Sequence, residues 1–374
     1  MNHRSSDGRP TPTLTAEEAE LLGIAMALRG AGRGVLQVVS DFADAEAEFA
    51  MLRRLVEKSG RPLSLSLVQV DRHPEQWRDL LAWVGDAARE GLPLKAQVCG
   101  RPVGIVLGLE CTLNPFLMHP AYRQIAHLPL EEKVARLRGG ELRRTLLAQR
   151  PVATRGFLAD MLQNFARIFP LGDPPDYEPP AVESLAALAS ARGVEPAALA
   201  YDLLLERGGK GLLYLPFLNY ADHSLDPSLE MMKHPDSVLG LGDGGAHLGT
   251  ICDASFPTTM LTHWTRDRRR GEKLPLPWVV RAHTHDTAAA VGLNDRGLLA
   301  RGYKADINLI DYDALRLHAP RVVHDLPAGG RRLVQTADGY RATIVSGEVI
   351  YRDGEPTEAL PGRLVRGAQP PPTT

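Results

Sequence analysis

Short uncharged runs separated by amphipathic stretches set the first rhythm of the chain. Residues 35–39 (VLQVV), 63–70 (LSLSLVQV) and 94–98 read as strands. The stretches between them, 44–58 and 76–89, read as helices; in the first, Phe49, Leu52 and Leu55 fall on one face. Ahead of them, Thr15 and Glu18 make a capping-box pattern. It predicts a helix to about Leu28, ended by Gly30, Gly32 and Gly34. This strand–helix alternation predicts a parallel α/β sheet.

The rhythm breaks over residues 100–180, a Pro-rich stretch with short helices expected at about 130–138 and 156–168. It reads as an excursion over one face of the sheet, either covering a site or packing peripherally. Helices resume at 181–192 and 196–206. A fourth strand is expected at 211–217, a short helix closing at 229–233, and a fifth strand at 237–241, uncharged and so expected to be buried on both faces. Helices follow near 258–269 and 277–291. From Gly297 the pattern turns to short alternating strands, with turn signals at Asp338-Gly339 and Ser346-Gly347 that predict hairpins. The Pro-rich tail, 368–374, is expected to be disordered.

Composition narrows the functional classes. The chain has 374 residues, enough for a large core, and its 43 Lys+Arg nearly cancel its 45 Asp+Glu. No basic stripe with interleaved aromatics speaks for nucleic acid. No apolar run approaches the roughly 20 residues of a membrane span. Cys99, Cys111 and Cys252 are odd in number and widely spaced, which fits a reducing compartment. With no apolar leader at the N-terminus, a cytoplasmic protein is expected.

The candidate chemistry centres on residues 237–255, SVLGLGDGGAHLGTICDAS. The fifth strand ends at Gly242-Asp243-Gly244-Gly245, placing a carboxylate among glycines at a strand's carboxyl end. In α/β barrels that end carries the chemistry. Asp243 could take up protons or bind a metal; the alternative is an Asx-turn capping its own loop. His247 could orient that carboxylate or contact substrate, or be a loop histidine with no such task. Asn219 and Tyr220 follow the fourth strand's carboxyl end, as do Asp222 and His223, and could line the same mouth or be structural. His283-Thr284-His285 falls in a predicted helix, where positions two apart diverge. Two solvated helix histidines are expected there, not a ligand pair.

The segment GLGDGGAHLGTICDASFPTTMLTHWTRDR resembles the last barrel segment of the D-aminoacylase / N-acyl-D-amino-acid deacylase branch of the amidohydrolase superfamily. AQVCGRPVGIVLGLE and the C-terminal run from DRGLLARGYKADINLIDYD to PGRLVRG are similar to the same branch. The resemblance covers about residues 3–367. It implies a partial TIM (β/α)8 barrel of the metal-dependent hydrolase type over 1–296, with a C-terminal piece of a small β-sandwich over 297–367. It also implies a divalent metal, usually zinc, with Asp243 as ligand and catalytic proton carrier, and His247, Asn219 and Tyr220 as substrate-contacting candidates.

The implied substrate is a small-molecule N-acyl amino acid, cleaved at its linear amide to a D-amino acid and a carboxylate. The resemblance further implies an HxH on the first barrel strand and one histidine each on the fifth and sixth. The chain begins beyond the HxH, so a truncated product or a second chain supplying the other half is expected. The strands at 35–39 and 63–70, where the two further histidines belong, contain none. A non-catalytic remnant or binding protein, and a cyclic-amide hydrolase of the dihydropyrimidinase or hydantoinase kind, are the alternatives.

Overall fold

In strands β1 (Leu36–Val38), β2 (Leu63–Leu67) and β3 (Leu94–Val98), side chains alternate leucine-like and polar, and the two sets separate onto opposite faces. A computed structural model of the chain describes residues 5, 7, 9–149, 151, 157–242 and 247–373. With β7 (Ser237–Leu239), these strands form a four-stranded parallel sheet in the order β1-β2-β3-β7. The register runs Leu36↔Leu63↔Leu94 at one end and Val98↔Leu239 at the other. Helix α1 (Glu18–Ala31) precedes β1, and helices α2 (Ala45–Ser59) and α3 (Gln76–Arg89) lie between the first three strands in sequence. Phe49, Leu52, Trp77 and Val84 from α2 and α3 share a core with Leu65 and Val98 of the sheet.

The two-sided burial expected for residues 237–241 is corrected by the structure: in β7, Ser237 and Val238 are only half-buried and Leu239 alone is buried. On the neighbouring strands the leucine face packs on the helices, while Gln37, Ser64, Lys95 and Gln97 on the other face retain solvent exposure. Gln37 donates to Ser66 Oγ (3.2 Å) and Gln97 Oε1 (3.4 Å) across three strands. The L-S-L-S-L and L-K-A-Q-V alternation was the signal, since period two marks a half-buried strand.

The excursion also departs from expectation. Its apolar run 103–107 is strand β4 (Val103–Leu107), antiparallel to β6 (Leu213–Leu218), which also pairs with β5 (Phe169–Pro170). The predicted fourth barrel strand therefore lies in a separate antiparallel sheet. Gly104 makes the pairing feasible: the Tyr214 ring occupies the space a Cβ would need, and its hydroxyl donates to Pro102 O at 3.0 Å.

Helices α4 (Pro120–Arg123), α5 (Leu130–Leu137), α6 (Gly140–Ala148), α7 (Phe157–Gln163), α8 (Leu185–Arg192) and α9 (Pro196–Gly209) surround this sheet. Ile105, Phe116, Leu137, Tyr201 and Leu215 form a second core distinct from the first. Of the helix expected at 156–168, residue 156 lies outside the described residues, and the helix observed, α7, ends at Gln163.

Helices α10 (Asp226–Lys233), α11 (Phe256–Thr262), α12 (Leu276–Arg281) and α13 (Thr287–Ala290) complete the α/β part. A π-helical turn, 263–267, continues α11, and another, 282–286, joins α12 to α13. Strands β8 (Ile307–Ile310), β13 (Tyr340–Val345), β14 (Glu348–Arg352) and β15 (Glu355–Pro356) make an antiparallel sheet in the order β15-β14-β13-β8. Ser346 (φ 53°) and Gly347 (φ 87°) close its hairpin, both left-handed as a tight turn requires.

The turn expected at Asp338-Gly339 is not a hairpin. β12 (Ala337–Asp338) pairs with β9 (Arg316–Leu317), and β10 (Arg321–Leu326) pairs with β11 (Gly330–Val334). The Thr15 capping box is not formed either: Thr15 Oγ1 donates to Pro12 O (3.1 Å), and α1 starts after Glu17. The tail expected to be disordered is held at Gln369, whose N–H donates to Gly292 O (2.8 Å) and whose carbonyl accepts from Asn294 (3.1 Å). Among the described residues no helix is long and apolar enough to cross a membrane.

Candidate functional site

Four strands end together at the carboxyl edge of the parallel sheet. Past Leu239, Gly240 extends the ladder by donating to Val98 O at 2.9 Å, with the Gln97 side chain lying where its Cβ would be. Leu241 then turns left-handed (φ 65°), and Gly242 lies against the Phe256 ring, where a side chain would clash. Asp243, with residues 244–246, lies outside the described residues. The chain resumes at His247, also left-handed (φ 52°) and exposed. Two non-glycine residues in that conformation bracket the glycine-rich segment, and local strain of this kind gathers at functional loops. The His247 carbonyl closes a turn by accepting from Thr250 N (2.8 Å), Ile251 N (3.0 Å) and Thr250 Oγ1 (2.9 Å).

Asn219 and Tyr220 are placed differently from a solvent-lined mouth. Asn219 is 1% exposed and exchanges hydrogen bonds with Gln69, just past β2. Gln69 is itself held: its Oε1 accepts from Ala221 N (3.0 Å) and its Nε2 donates to Asp222 Oδ2 (2.7 Å). Tyr220 is fully buried; its hydroxyl donates to Pro179 O (2.6 Å) and accepts from Arg270 Nη2 (3.0 Å), and burial pushes its pKa up. Both side chains join elements, the structural alternative of the sequence reading. The other two strand ends present Val39, 48% exposed, and Leu67, fully buried.

The divalent ion implied by the resemblance needs at least three converging donors. Among the described residues no group of three His, Cys, Asp or Glu side chains is placed to hold one. The described strand ends therefore do not form a metal holder, and no step is derived through one.

His283 and His285 lie on the 282–286 π-turn and diverge. The expectation of two solvated histidines is corrected for His283. It packs on Phe256 (centroids 5.4 Å), its Nε2 is buried without a partner, and burial pushes its pKa down to about 4. His285 Nδ1 pairs with Asp286 at 2.8 Å.

Two buried ionic clusters escaped the sequence reading. Arg101, 1% exposed just beyond β3, donates to Asp253 Oδ1 (2.6 Å), Cys252 O (2.8 Å) and Ser255 Oγ (3.0 Å), and lies over the Tyr177 ring at 4.0 Å. Glu178, 4% exposed, receives Arg268 through two bonds (3.0 and 2.9 Å), His263 Nε2 (2.9 Å) and Leu225 N (2.9 Å). Burial alone would raise the Glu178 pKa; the four donors outweigh it and hold the carboxyl at about 2. A charged residue directly after a buried strand, as in V-C-G-R, was the one available signal for Arg101.

A family model described as "Amidohydrolase family" matches residues 3–351. Among solved structures, one reported as a crystal structure of D-aminoacylase that defines a novel subset of amidohydrolases is 16% identical, at TM-score 0.50. A second, on the functional role of the binuclear metal center in D-aminoacylase, is 18% identical at TM-score 0.52. A third, a D-aminoacylase mutant in complex with CuCl2, is 17% identical at TM-score 0.52. Each alignment covers 93% of this chain and 59% of the other, so the chain spans less than two thirds of those proteins. At these identities the likeness shows the fold alone, α/β and TIM-barrel-like. No curated protein matches the sequence.

Proposed function

The chain belongs to the amidohydrolase family, and from that premise we propose that it serves hydrolysis of a carbon–nitrogen bond in a small-molecule linear amide, an N-acyl-D-amino acid. The parallel sheet and its helices are read as part of a (β/α)8 barrel, and the C-terminal strands as part of a β-sandwich. The observation that carries the reading is the register of β7. Parallel to β3 with Leu239 beside Val98, it ends at the same sheet edge where β1, β2 and β3 finish, four positions before Asp243 in sequence. Barrel enzymes place their chemistry at that end.

In this reading Asp243 accepts the proton of the attacking water and returns it to the departing amine, work a carboxylate suits as a hydrogen-bond acceptor. His247, exposed four residues on, contacts the substrate. Asn219 and Tyr220 act from behind: Asn219 holds the exits of β2 and β6 together, and Tyr220 ties the end of β6 to Pro179 and Arg270. A divalent ion, zinc by resemblance, would take Asp243 as ligand, with its remaining donors outside the described residues. A reducing cytoplasm suits the three free cysteines.

A second reading, binding without turnover, is favoured by the absence of histidine from β1 and β2 and by the engagement of Gln69 in five hydrogen bonds through its backbone and side chain. Purified protein assayed with zinc against N-acetyl-D-amino acids and cyclic ureides separates the readings. Release of a D-amino acid that Asp243→Asn abolishes supports the proposal. Turnover of ureides alone points to the cyclic-amide alternative, and no turnover with either points to the binding reading.

A further inference from the structure

A cavity of about 660 Å³ opens between residues 174–183, the helical segment 259–270 and residues 313–317. Its volume is in the range of small-molecule sites. Two lining groups have polar atoms left unused among the described residues. Thr259 is 4% exposed, and its Oγ1 is buried with no hydrogen bond. His263, one helical turn on, gives Nε2–H to Glu178 at 2.9 Å, and among the described residues its Nδ1 makes no bond. Glu178 is locked by Arg268, so this carboxylate fixes the imidazole's tautomer as well as its direction. A buried hydroxyl without a partner costs free energy and calls for an occupant.

The charges around the rim are balanced. Arg269, Arg270 and Arg316 face the cavity, as do Asp176, Glu183 and Asp313; the other charged lining groups are already paired, Arg266 with Asp267 and Glu178 with Arg268. Among the described residues Arg270 spends only Nη2 on protein acceptors, the carbonyls of Glu178 and His223 and the Tyr220 hydroxyl, leaving its other nitrogens for a ligand. A simple anion would meet three carboxylates and a simple cation three guanidiniums, each a like-charge penalty. A molecule carrying both signs meets neither.

We infer that this cavity is a binding site for a small zwitterion bearing a free ammonium and a free carboxylate, from amino-acid to dipeptide size. The Arg270 side holds the carboxylate, Asp176 and Asp313 hold the ammonium, and Thr259 and His263 supply the directional hydrogen bonds. The site shares no residue with the Asp243 loop, so it stands whether or not that loop is catalytic.

The test is calorimetric titration of the full chain with D-leucine and glycyl-D-leucine. Isocaproate, which lacks the ammonium, and isoamylamine, which lacks the carboxylate, serve as comparisons. Expected are binding of both zwitterions and at least about ten-fold weaker binding of each singly charged analogue. Asp313→Asn and Thr259→Val should each weaken D-leucine with the melting temperature preserved, and Asp243→Asn should bind it as the unmodified chain does. Absence of zwitterion binding, equal binding of the analogues, or weakening by Asp243→Asn without weakening by Asp313→Asn would overturn the assignment.

Discussion

Asn219 and Gln69 exchange two hydrogen bonds, Asn219 N to Gln69 O at 2.9 Å and Gln69 N to Asn219 Oδ1 at 2.8 Å. They join the exits of two strands from different sheets, β2 and β6. Asn219 is left-handed (φ 60°), a conformation that asparagine tolerates better than most residues. Replacing it with alanine strands the buried Gln69 N–H and strains the backbone, so Asn219→Ala is expected to cost about 2–4 kcal/mol in denaturant unfolding. A loss below half a kcal/mol would show that the clamp holds nothing.

Glu178 is the counter-charge of Arg268, whose side chain is fully buried. Glu178→Gln leaves that cation with only the exposed Asp226 (2.7 Å) as counter-charge and is expected to destabilise by about 3–5 kcal/mol, while a paired Glu178→Met/Arg268→Met variant recovers much of the loss. Because the carboxyl is held at about 2 against an ordinary 4.5, its contribution is present above pH 4.5 and is lost as pH falls toward 2. Unfolding free energy measured across that window should fall less steeply in the paired variant.

His283 gives the opposite charge bookkeeping with the same direction. Its pKa is about 4 folded and 6.5 free, so between these values the unfolded chain binds the extra proton. Stability should therefore drop as pH falls from 6.5 to 4, by up to about 3 kcal/mol. His283→Leu removes the titrating group, and urea midpoints should then flatten over that interval; an unchanged slope would assign the loss to other groups.

For Asp243, the expected loss of turnover in Asp243→Asn is at least 10²-fold, the usual worth of a positioned proton carrier. Circular dichroism and melting temperature should stay the same, since asparagine is nearly isosteric. Retained turnover at an unchanged pH profile would remove Asp243 from the chemistry.

Much of the α/β part was legible because its signals are local. Runs such as 94–98 and amphipathic stretches such as 76–89 carry their own period. What stayed hidden is long-range. The β4–β6 pairing joins residues more than a hundred positions apart, and Gly104 interrupts the apolar run that might have announced it. Glu178, His263 and Arg268 are separated by 85 and 90 positions, so no spacing rule brings them together. Tyr220 was read as a mouth residue because it follows a strand; the strand belongs to the other sheet, and the ring points into the core. The uncharged run 237–241 invited a reading of two-sided burial that β7, with Ser237 and Val238 half-buried, does not bear out, whereas the alternation of leucine and serine in 63–67 carries its own one-sided signal.

Those serines also decide how the parallel sheet can assemble. Were β2 to slide one place along β1, Leu63, Leu65 and Leu67 would turn to water and Ser64 and Ser66 would be forced among Leu52 and Trp77. The comb of leucine and serine thus works as a ratchet with a single seat, penalising every odd-numbered slip during folding.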